Sequence, residues 1–362
     1  MEPRDLNRVF DALAPTAEQE QAVLDRLLQT ERKGRPMKKL KKLTVVGVAA
    51  ALMVISCAAA VVTGLDQRLL DYFGASPKQA ELLLPGAVPV DVTAEDNGAT
   101  LHVTQVLMDR HSLLILAEFT APEGTVLDTK GDEFLTFDES KFALLDGAGN
   151  PVSDSLHNWA LTIRSLDDGD PLDNHLTILF DLGLTAGFDP NWDAAFLHLS
   201  AVNLGWFDAD HLEWVCLCSG DWSFDVPLPQ TDIGKTCELN LPVGELDGAE
   251  IAAKEIYLSP MTLRITIERE IPAKSENMTE EDEQIYSRWM SAININRVSL
   301  TGRDGRSIPL RGNGGTISDQ ENVEIYRLEE ITDLSQLQGG VLTLNIGYGS
   351  VDIPLDGLAP VE

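Results

Sequence analysis

Apolar residues follow three patterns along the 362-residue chain, and the longest is a run at residues 43–65 without a charged side chain. As an α-helix rising about 1.5 Å per residue, this run would extend about 34 Å, more than the roughly 30 Å core of a bilayer. A helix in a globular core would normally carry a polar stripe, and this run has none. The pattern predicts one transmembrane helix that begins at Leu43 and ends at Leu65.

Three interpretations of residues 37–65 stay open. The first is an uncleaved anchor. The second is a cleaved secretory signal, because residues 37–42 (MKKLKK) precede the apolar core as in such signals. The third is a lipoprotein, because residues 54–57 (VISC) resemble a processing box in which Cys57 would be lipidated. The anchor is favoured because a long segment precedes the basic residues and because the chain stays apolar after Cys57.

The second pattern is helical periodicity in residues 1–36. Apolar side chains recur every three or four residues on both sides of Pro15, and Thr16 with Gln19 fits a capping box. Two helices of this size bury little surface alone. We interpret them as a helical stub that docks to a partner or dimerises; a loose stub on the membrane is the alternative. The predicted docking faces consist of Leu6, Val9, Phe10 and Leu13, and of Val23, Leu24, Leu27 and Leu28.

The third pattern, from residue 90 onward, is alternation of apolar and polar residues in short stretches separated by turns, which predicts strands. Residues 90–230 and 251–362 follow the same plan: two strands, a variable insert, a strand, an Asp-Gly turn and late strands. The Asp-Gly turns are Asp146-Gly147 and Asp304-Gly305. This order predicts a tandem duplication of an antiparallel immunoglobulin-like sandwich.

The fold class is therefore mainly β: two tandem antiparallel immunoglobulin-like sandwiches, one transmembrane helix and a short N-terminal helical stub. A short helix is predicted to begin at Ser76-Pro77. The predicted parts are the stub (1–36), the basic flank and transmembrane helix (37–65), a juxtamembrane helical segment (66–89), the first sandwich (90–230), a linker (231–250) and the second sandwich (251–362).

Charge divides the chain at the apolar run. Residues 1–42 hold ten basic and seven acidic residues, whereas the remainder holds 17 basic and 51 acidic residues. The positive-inside rule therefore predicts a cytoplasmic N-terminus and extracytoplasmic C-terminal domains in the cell membrane. The acidic remainder disfavours nucleic acid as a partner. The basic flank that sets this topology includes Lys38, Lys39, Lys41 and Lys42.

The remaining candidate chemistry is sparse. The acidic loop at residues 167–174 lacks the spacing of a calcium-binding loop, and residues 312–315 (GNGG) read as a turn. We predict no catalytic residue, no cofactor and no metal, and we disfavour an enzyme. The histidines lack metal-ligand spacing; they are His102, His111, His157, His175, His198 and His211.

The three outer cysteines, Cys216, Cys218 and Cys237, cannot all pair with one another. The first two lie two apart on a predicted strand and should share a face, which is poor disulfide geometry. Buried or reduced thiols are favoured, while a bond from Cys237 to one of them, or a bond between chains, stays open.

The order of these parts resembles a known family. The segments that carry the resemblance are DQRLLDYFGASPKQAELL, VTAEDNGATLHVTQVLMDRHSLLILAEFTAPEG and GDWSFDVPL, which follow a helical stub, a Lys-rich flank and one anchor. They resemble uncharacterised single-pass membrane proteins of Gram-positive bacteria that carry an extracellular immunoglobulin-like domain of unknown function. The resemblance covers about residues 1–230, and the C-terminal part resembles the second sandwich of many members.

This resemblance implies a regulator like an anti-sigma factor. It transfers no functional residue, because the family has no established active site. The stub lacks the His and Cys ligands of zinc-type anti-sigma domains, so a sigma factor would have to bind its apolar faces. The expected partners are the membrane, a cytoplasmic sigma factor or other regulator, and an extracellular ligand whose identity stays open. The alternative is a surface adhesion or structural module, anchored or a lipoprotein, without a signalling role.

Overall fold

The computed structural model describes most of the chain after the apolar run: residues 64–127, 135–153, 159–166, 173–184, 194–208, 213–246, 249–269, 278–292, 295–317, 321–346 and 349–355. Every described residue lies in one compact unit, residues 60–362. No helix in the described ranges is both long enough and apolar enough to cross a membrane. Several predicted features lie outside these ranges: Leu6, Val9, Phe10, Leu13, Val23, Leu24, Leu27, Leu28, Lys38, Lys39, Lys41, Lys42, Leu43 and Cys57.

Two short helices open the described chain. Helix α1 (Gln67–Phe73) is capped by Asp66, whose side chain accepts from the Arg68 backbone N–H, and it ends at Gly74 in the left-handed conformation. Helix α2 (Pro77–Leu83) begins with a capping box formed by Ser76 and Gln79 and has proline in its first turn. The predicted helix at Ser76-Pro77 is thus confirmed.

The first nine strands form two antiparallel sheets, and we name them repeat 1. The sheets have the orders β1-β2-β3-β7-β6 and β5-β4-β8-β9. The strands are β1 (Ala87–Asp96), β2 (Ala99–Met108), β3 (Ser112–Thr120), β4 (Leu135–Asp146), β5 (Pro151–Ser153), β6 (Trp159–Leu166), β7 (His175–Leu184), β8 (Ala194–Asp208) and β9 (Glu213–Pro227).

The next nine described strands form repeat 2, which contains two further helices, α3 (Glu280–Ala292) and α4 (Leu334–Leu337). Its sheets have the orders β10-β11-β12-β16-β15 and β14-β13-β17-β18. The strands are β10 (Lys235–Leu246), β11 (Ala249–Leu258), β12 (Thr262–Arg269), β13 (Ile295–Thr301), β14 (Ser307–Ile308), β15 (Leu310–Ile317), β16 (Glu321–Leu328), β17 (Val341–Ile346) and β18 (Gly349–Pro354).

The two repeats have the same topology. Adding nine to each strand number of repeat 1 reproduces both sheet orders of repeat 2. Even an irregularity recurs, because β2 has a register shift between Val103 and Gln105 and β11 has one between Ala253 and Glu255. The protein is mainly β, in antiparallel sheets with few helices, and the predicted tandem plan is present in the described strands.

Each repeat has its own core between its two sheets. In repeat 1, the fully buried Trp222 of β9 contacts Phe119 of β3, with ring centroids 5.0 Å apart. The predicted alternation in β9 is confirmed, because Trp222, Phe224 and Val226 are buried and the residues between them, Ser223 and Asp225, are exposed. In repeat 2, Ile265 of β12 and Leu342 of β17 belong to one buried cluster.

Two segments of repeat 2 that the sequence predicts as a linker and a turn are strands in the structure. The predicted linker, residues 231–250, contains β10, whose alternating apolar residues pack against the core while Pro242 and Gly244 coincide with a register shift. The predicted turn at residues 312–315 lies inside β15, where the register shifts between Gly312 and Gly314. In both strands glycine or proline marks a bulge, a feature that reads like a turn in the sequence.

A third buried cluster lies on the outer face of the five-stranded sheet of repeat 1. Helices α1 and α2 cover this face with Leu69 and Leu83, and Leu65 belongs to the same cluster at 1% exposure. The sequence predicts that the membrane span ends at Leu65. The structure instead buries this side chain in the folded unit, so packing explains its apolar character; residues 43–63 lie outside the described ranges.

Candidate functional site

The two repeats meet through equivalent turns, the β2–β3 turn and the β11–β12 turn. In each turn one side-chain oxygen, from Asp109 or Ser259, accepts two backbone N–H groups. Between the turns, the Ser259 hydroxyl donates to Asp109 Oδ2 at 2.6 Å and the Thr262 hydroxyl donates to Ser112 Oγ at 2.9 Å. Both bonds join residues 150 positions apart. Equivalent residues therefore pair, as they do across a two-fold homodimer interface.

A buried ion cluster lies at the same junction. Asp181 of β7 is fully buried and accepts from Arg327, which is 1% exposed, and from Asn313 Nδ2 at 3.2 Å. Arg311 Nη2 donates to Asp181 at 3.2 Å and to the Tyr72 hydroxyl of α1 at 2.6 Å. The cluster thus joins repeat 1, repeat 2 and the first helix.

Close backbone approach explains the glycines around this cluster. A Cβ at Gly183 of β7 would lie 1.8 Å from the Asn313 carbonyl oxygen, and one at Gly314 would lie 3.1 Å from the Ala160 side chain. The bulge in β15 therefore packs directly against β6 and β7 of repeat 1. The contact itself requires glycine at position 183, whereas Gly314 is required by its backbone φ of 131°.

Tyr257 and His111 complete the junction. The Tyr257 hydroxyl donates to Asp232 at 2.6 Å and accepts from the Arg110 N–H at 3.1 Å. The His111 ring packs edge-on against Tyr257 with centroids 4.7 Å apart. Burial, followed by the charge of Arg264, lowers the pKa of His111 to about 3, so this histidine is neutral and structural.

A second ion cluster fixes α1 to repeat 1. Arg68 donates to both carboxylate oxygens of Asp66, to Glu118 at 2.9 Å and to the Thr177 hydroxyl at 3.1 Å. The contact with His102, followed by the charge of Arg68, lowers the pKa of Glu118 to about 2 although burial raises it. Glu118 in turn raises the pKa of His102.

The chain is already held where the described residues begin. Gln105, a buried residue of β2, donates to the Gly64 carbonyl at 2.9 Å and accepts from the Asp66 N–H at 2.6 Å. Together with the Arg68 cluster, these bonds fix residues 64–73 on repeat 1. The segment before residue 64 is therefore joined to residues that are hydrogen-bonded to repeat 1.

Helix α2 reaches repeat 2 and forms one wall of a cleft of about 670 Å³. The Gln79 amide donates to the Ile331 carbonyl, and Lys78 Nζ lies 4.0 Å from the Asp333 carboxylate. The opposite wall is the β13–β14 turn, together with residues 330–336. The charged residues lining this cleft are Lys78, Arg303, Asp304, Arg306, Glu330 and Asp333.

One constellation that sequence reasoning missed lies on the exposed face of β8 and β9. Ser223 Oγ lies 3.2 Å from His198 Nε2, and His198 Nδ1 lies 2.7 Å from Asp225 Oδ1, the connectivity of a Ser-His-Asp triad. His198 and Asp225 are 38% and 52% exposed, and none of the three lines the cleft. Only the strand register, which pairs His198 with Asp225, brings these residues together.

Within the described ranges, Cys216, Cys218 and Cys237 are free thiols. No group of His, Cys, Asp and Glu in these ranges could hold a metal ion. Cys216 is exposed, Cys218 is buried and Cys237 is half-buried. Cys216 and Cys218 differ in burial, and the β8–β9 register shifts between Leu204 and Gly205, the residues that pair with them. Residues 167–172 of the acidic loop lie outside the described ranges, as do His157 and His211.

Comparisons with known proteins add no family. No family model matches the chain, and no curated protein matches it. Among solved structures, the chain is similar to the crystal structure of a conserved domain protein from Bacillus anthracis, with 12% sequence identity and a TM-score of 0.45. The match covers 73% of this chain and 80% of that one. A likeness at this level transfers neither fold nor function.

Proposed function

We propose that this chain is a non-enzymatic sensor of the bacterial cell envelope, anchored by residues 43–63 and acting like an anti-sigma factor. Repeats 1 and 2 are immunoglobulin-like sandwiches on the extracytoplasmic side. The stub at residues 1–36 is cytoplasmic and docks a sigma factor or another regulator through its apolar faces. The signal is a ligand of the outer repeats.

The observation that carries this proposal is the attachment of α1 and α2. These helices follow the apolar run directly and contact both repeats, through Arg68 on repeat 1 and through Tyr72 and Gln79 on repeat 2. A surface module that only needs tethering would be served by a loose linker. A helix pair held on both repeats instead makes the anchor respond to their arrangement.

Ligand binding can act on this arrangement through the cleft. Helix α2 and repeat 2 form opposite walls of the cleft, so a ligand that contacts both walls favours one spacing between them. A ligand shifts an equilibrium by its difference in affinity for the two states. The anchor then transmits the conformational change to the stub.

The proposal does not assign catalysis to Ser223. Its hydroxyl and the neighbouring His198 and Asp225 lie on a solvent-facing strand surface, away from the cleft. Nucleophilic catalysis needs a bound substrate held against the nucleophile, with donors for the developing oxyanion. We interpret the three residues as a cross-strand hydrogen-bonded network.

Deletion of residues 1–30 from the full-length chain tests the proposal against the adhesion alternative. The sensor role predicts a changed transcription profile with normal display and ligand binding at the surface. Unchanged transcription under all envelope stresses tested would contradict it and would favour an adhesion or structural module. A full-length chain with all eight predicted docking residues intact and Lys141→Gln on repeat 1 is the matched control.

A further inference from the structure

The duplication provides an internal comparison at the cleft, because the turn that forms one wall occurs twice in the chain. The turns are residues 146–150 in repeat 1 and 302–306 in repeat 2. In both, the first N–H donates to the fifth carbonyl at 2.9 Å and the fourth N–H donates to the first carbonyl at 3.0 Å. The fourth residue is glycine at φ 85° and 78°. By this match Asp146 is equivalent to Gly302. The two Asp-Gly pairs, which the sequence predicts to be equivalent, are therefore offset by two residues.

The copies share only the glycine at the fourth position, and the other four positions differ. At the second and fifth positions, repeat 1 has Gly147 and Asn150, whereas repeat 2 has Arg303 and Arg306. Because repeat 1 builds the same backbone without arginine, the turn itself does not require these side chains. They are exposed, and neither guanidinium has a partner among the described residues. Their side chains can therefore serve a role outside the turn.

Only the copy with the arginines lines the cleft, where Lys78 of α2 also lies. Two of the cleft carboxylates have local tasks: Asp304 accepts from the Arg306 N–H at 3.0 Å, and Asp333 caps helix α4. These carboxylates stay charged, Glu330 also lines the cleft, and Asp333 lies 4.0 Å from Lys78 Nζ. The two guanidiniums have no ion-pair partner among the described residues, so they can bind an anion. They stand out because basic residues are scarce, with 17 against 51 acidic residues after residue 42.

We propose that this cleft binds a phosphate-bearing anion, held by Arg303 and Arg306 with Lys78 on the opposite wall. Guanidinium groups match phosphate oxygens in bidentate geometry and keep their charge at every physiological pH. The phosphate can come from a lipid headgroup or from a soluble phosphate ester. That such an anion is the signal rests on the proposed sensor function; the binding does not.

The test uses the full-length chain in nanodiscs of zwitterionic lipid, titrated with glycerol 3-phosphate and with inorganic phosphate, and separately in nanodiscs containing phosphatidylglycerol. The variant Arg303→Gly with Arg306→Asn places the repeat 1 residues at the two arginine positions, where Gly147 and Asn150 are compatible with the same backbone hydrogen bonds. Lys141→Gln, an exposed cation on repeat 1, is the control. Binding of either phosphate source is expected, weakened at least about tenfold by the double variant and unchanged in the control.

Binding only in phosphatidylglycerol discs assigns a headgroup. Binding only of glycerol 3-phosphate or inorganic phosphate assigns a soluble ligand. Both results support the proposal. Absence of binding from both sources, or equal affinity in the double variant, overturns it. Thermal melting of the double variant checks that its fold is kept. Overturning the ligand class leaves the deletion of residues 1–30 as a separate test of the sensor role.

Discussion

Asp181 shows at the residue scale how the junction is held. It is fully buried, and the arginines that contact it, Arg327 and Arg311, both come from repeat 2. Two nitrogens of Arg327 have no partner among the described residues, so its contact with Asp181 is the main compensation for burial, with a further contribution from the charge of Asp109. Losing one partner of such a pair leaves the other charge desolvated.

We therefore expect Asp181→Asn to lower the free energy of unfolding of residues 64–362 by about 3–5 kcal/mol in urea titrations. Glu268→Gln, which removes an exposed partner of Lys254 in repeat 2, should leave this free energy unchanged. Equal effects of the two substitutions would show that the buried cluster does not hold the repeats together.

The Arg68–Glu118–His102 cluster predicts a pH dependence. Glu118 has a folded-state pKa of about 2, below its ordinary 4.5, so its stabilisation is present above 4.5 and is lost as the pH falls towards 2. His102 has a raised pKa, so its stabilisation is present below 6.5 and is lost as the pH rises through the folded value. Stability measured from pH 2 to 9 should fall at both ends, and Glu118→Gln should flatten both slopes. Unaltered slopes in that variant would contradict the assignment.

Ser223 gives a third prediction at this scale. A fluorophosphonate probe should fail to label it, and Ser223→Ala should leave ester hydrolysis by the purified chain at the background rate. Stoichiometric labelling that is lost in Ser223→Ala would establish a reactive serine and would replace the non-enzymatic interpretation.

At the element scale, periodicity within the sequence predicted those features that depend on neighbouring residues. The order of β2 and β3 recurs in β11 and β12, and the capping residues of α2 are local, so both were predictable. Strand β10 lies where the sequence predicts a linker, and its register shifts between Pro242 and Gly244. The Asp181–Arg327 pair could not be found, because its partners lie 146 residues apart and meet only after the repeats dock.

The packing of α1 predicts the effect of a core substitution. Leu69 is fully buried between α1 and the outer sheet face, so Leu69→Ala should cost about 2–5 kcal/mol. Hydrogen exchange should speed up across residues 67–83 and not across β17. Leu84→Ala, at a partly exposed position, is the control and should have a much smaller effect. Uniform acceleration over both repeats would mean that the helices are not a separate layer.

At the scale of the whole molecule, the duplication explains the symmetry of the junction between the repeats, and the unduplicated helices explain its asymmetry. Equivalent turns pair across it, as Asp109 with Ser259 and Ser112 with Thr262. The N-terminal helices occur once and bridge the two repeats, so they break this symmetry on one side. The proposed signal path begins at the cleft on that side and continues through α2 and α1 to residue 64.

The most direct measurement is the amount of sigma factor that co-purifies with the full-length chain when the helix contact is broken. Arg311→Gln removes the donor shared by Asp181 and Tyr72, and Lys254→Gln removes an exposed cation from the same repeat. We predict that the first substitution changes the bound amount without changing the quantity of chain in the membrane, and that the second changes neither. Identical co-purification in both variants and the original chain, or no sigma factor in any of them, would contradict the proposed coupling.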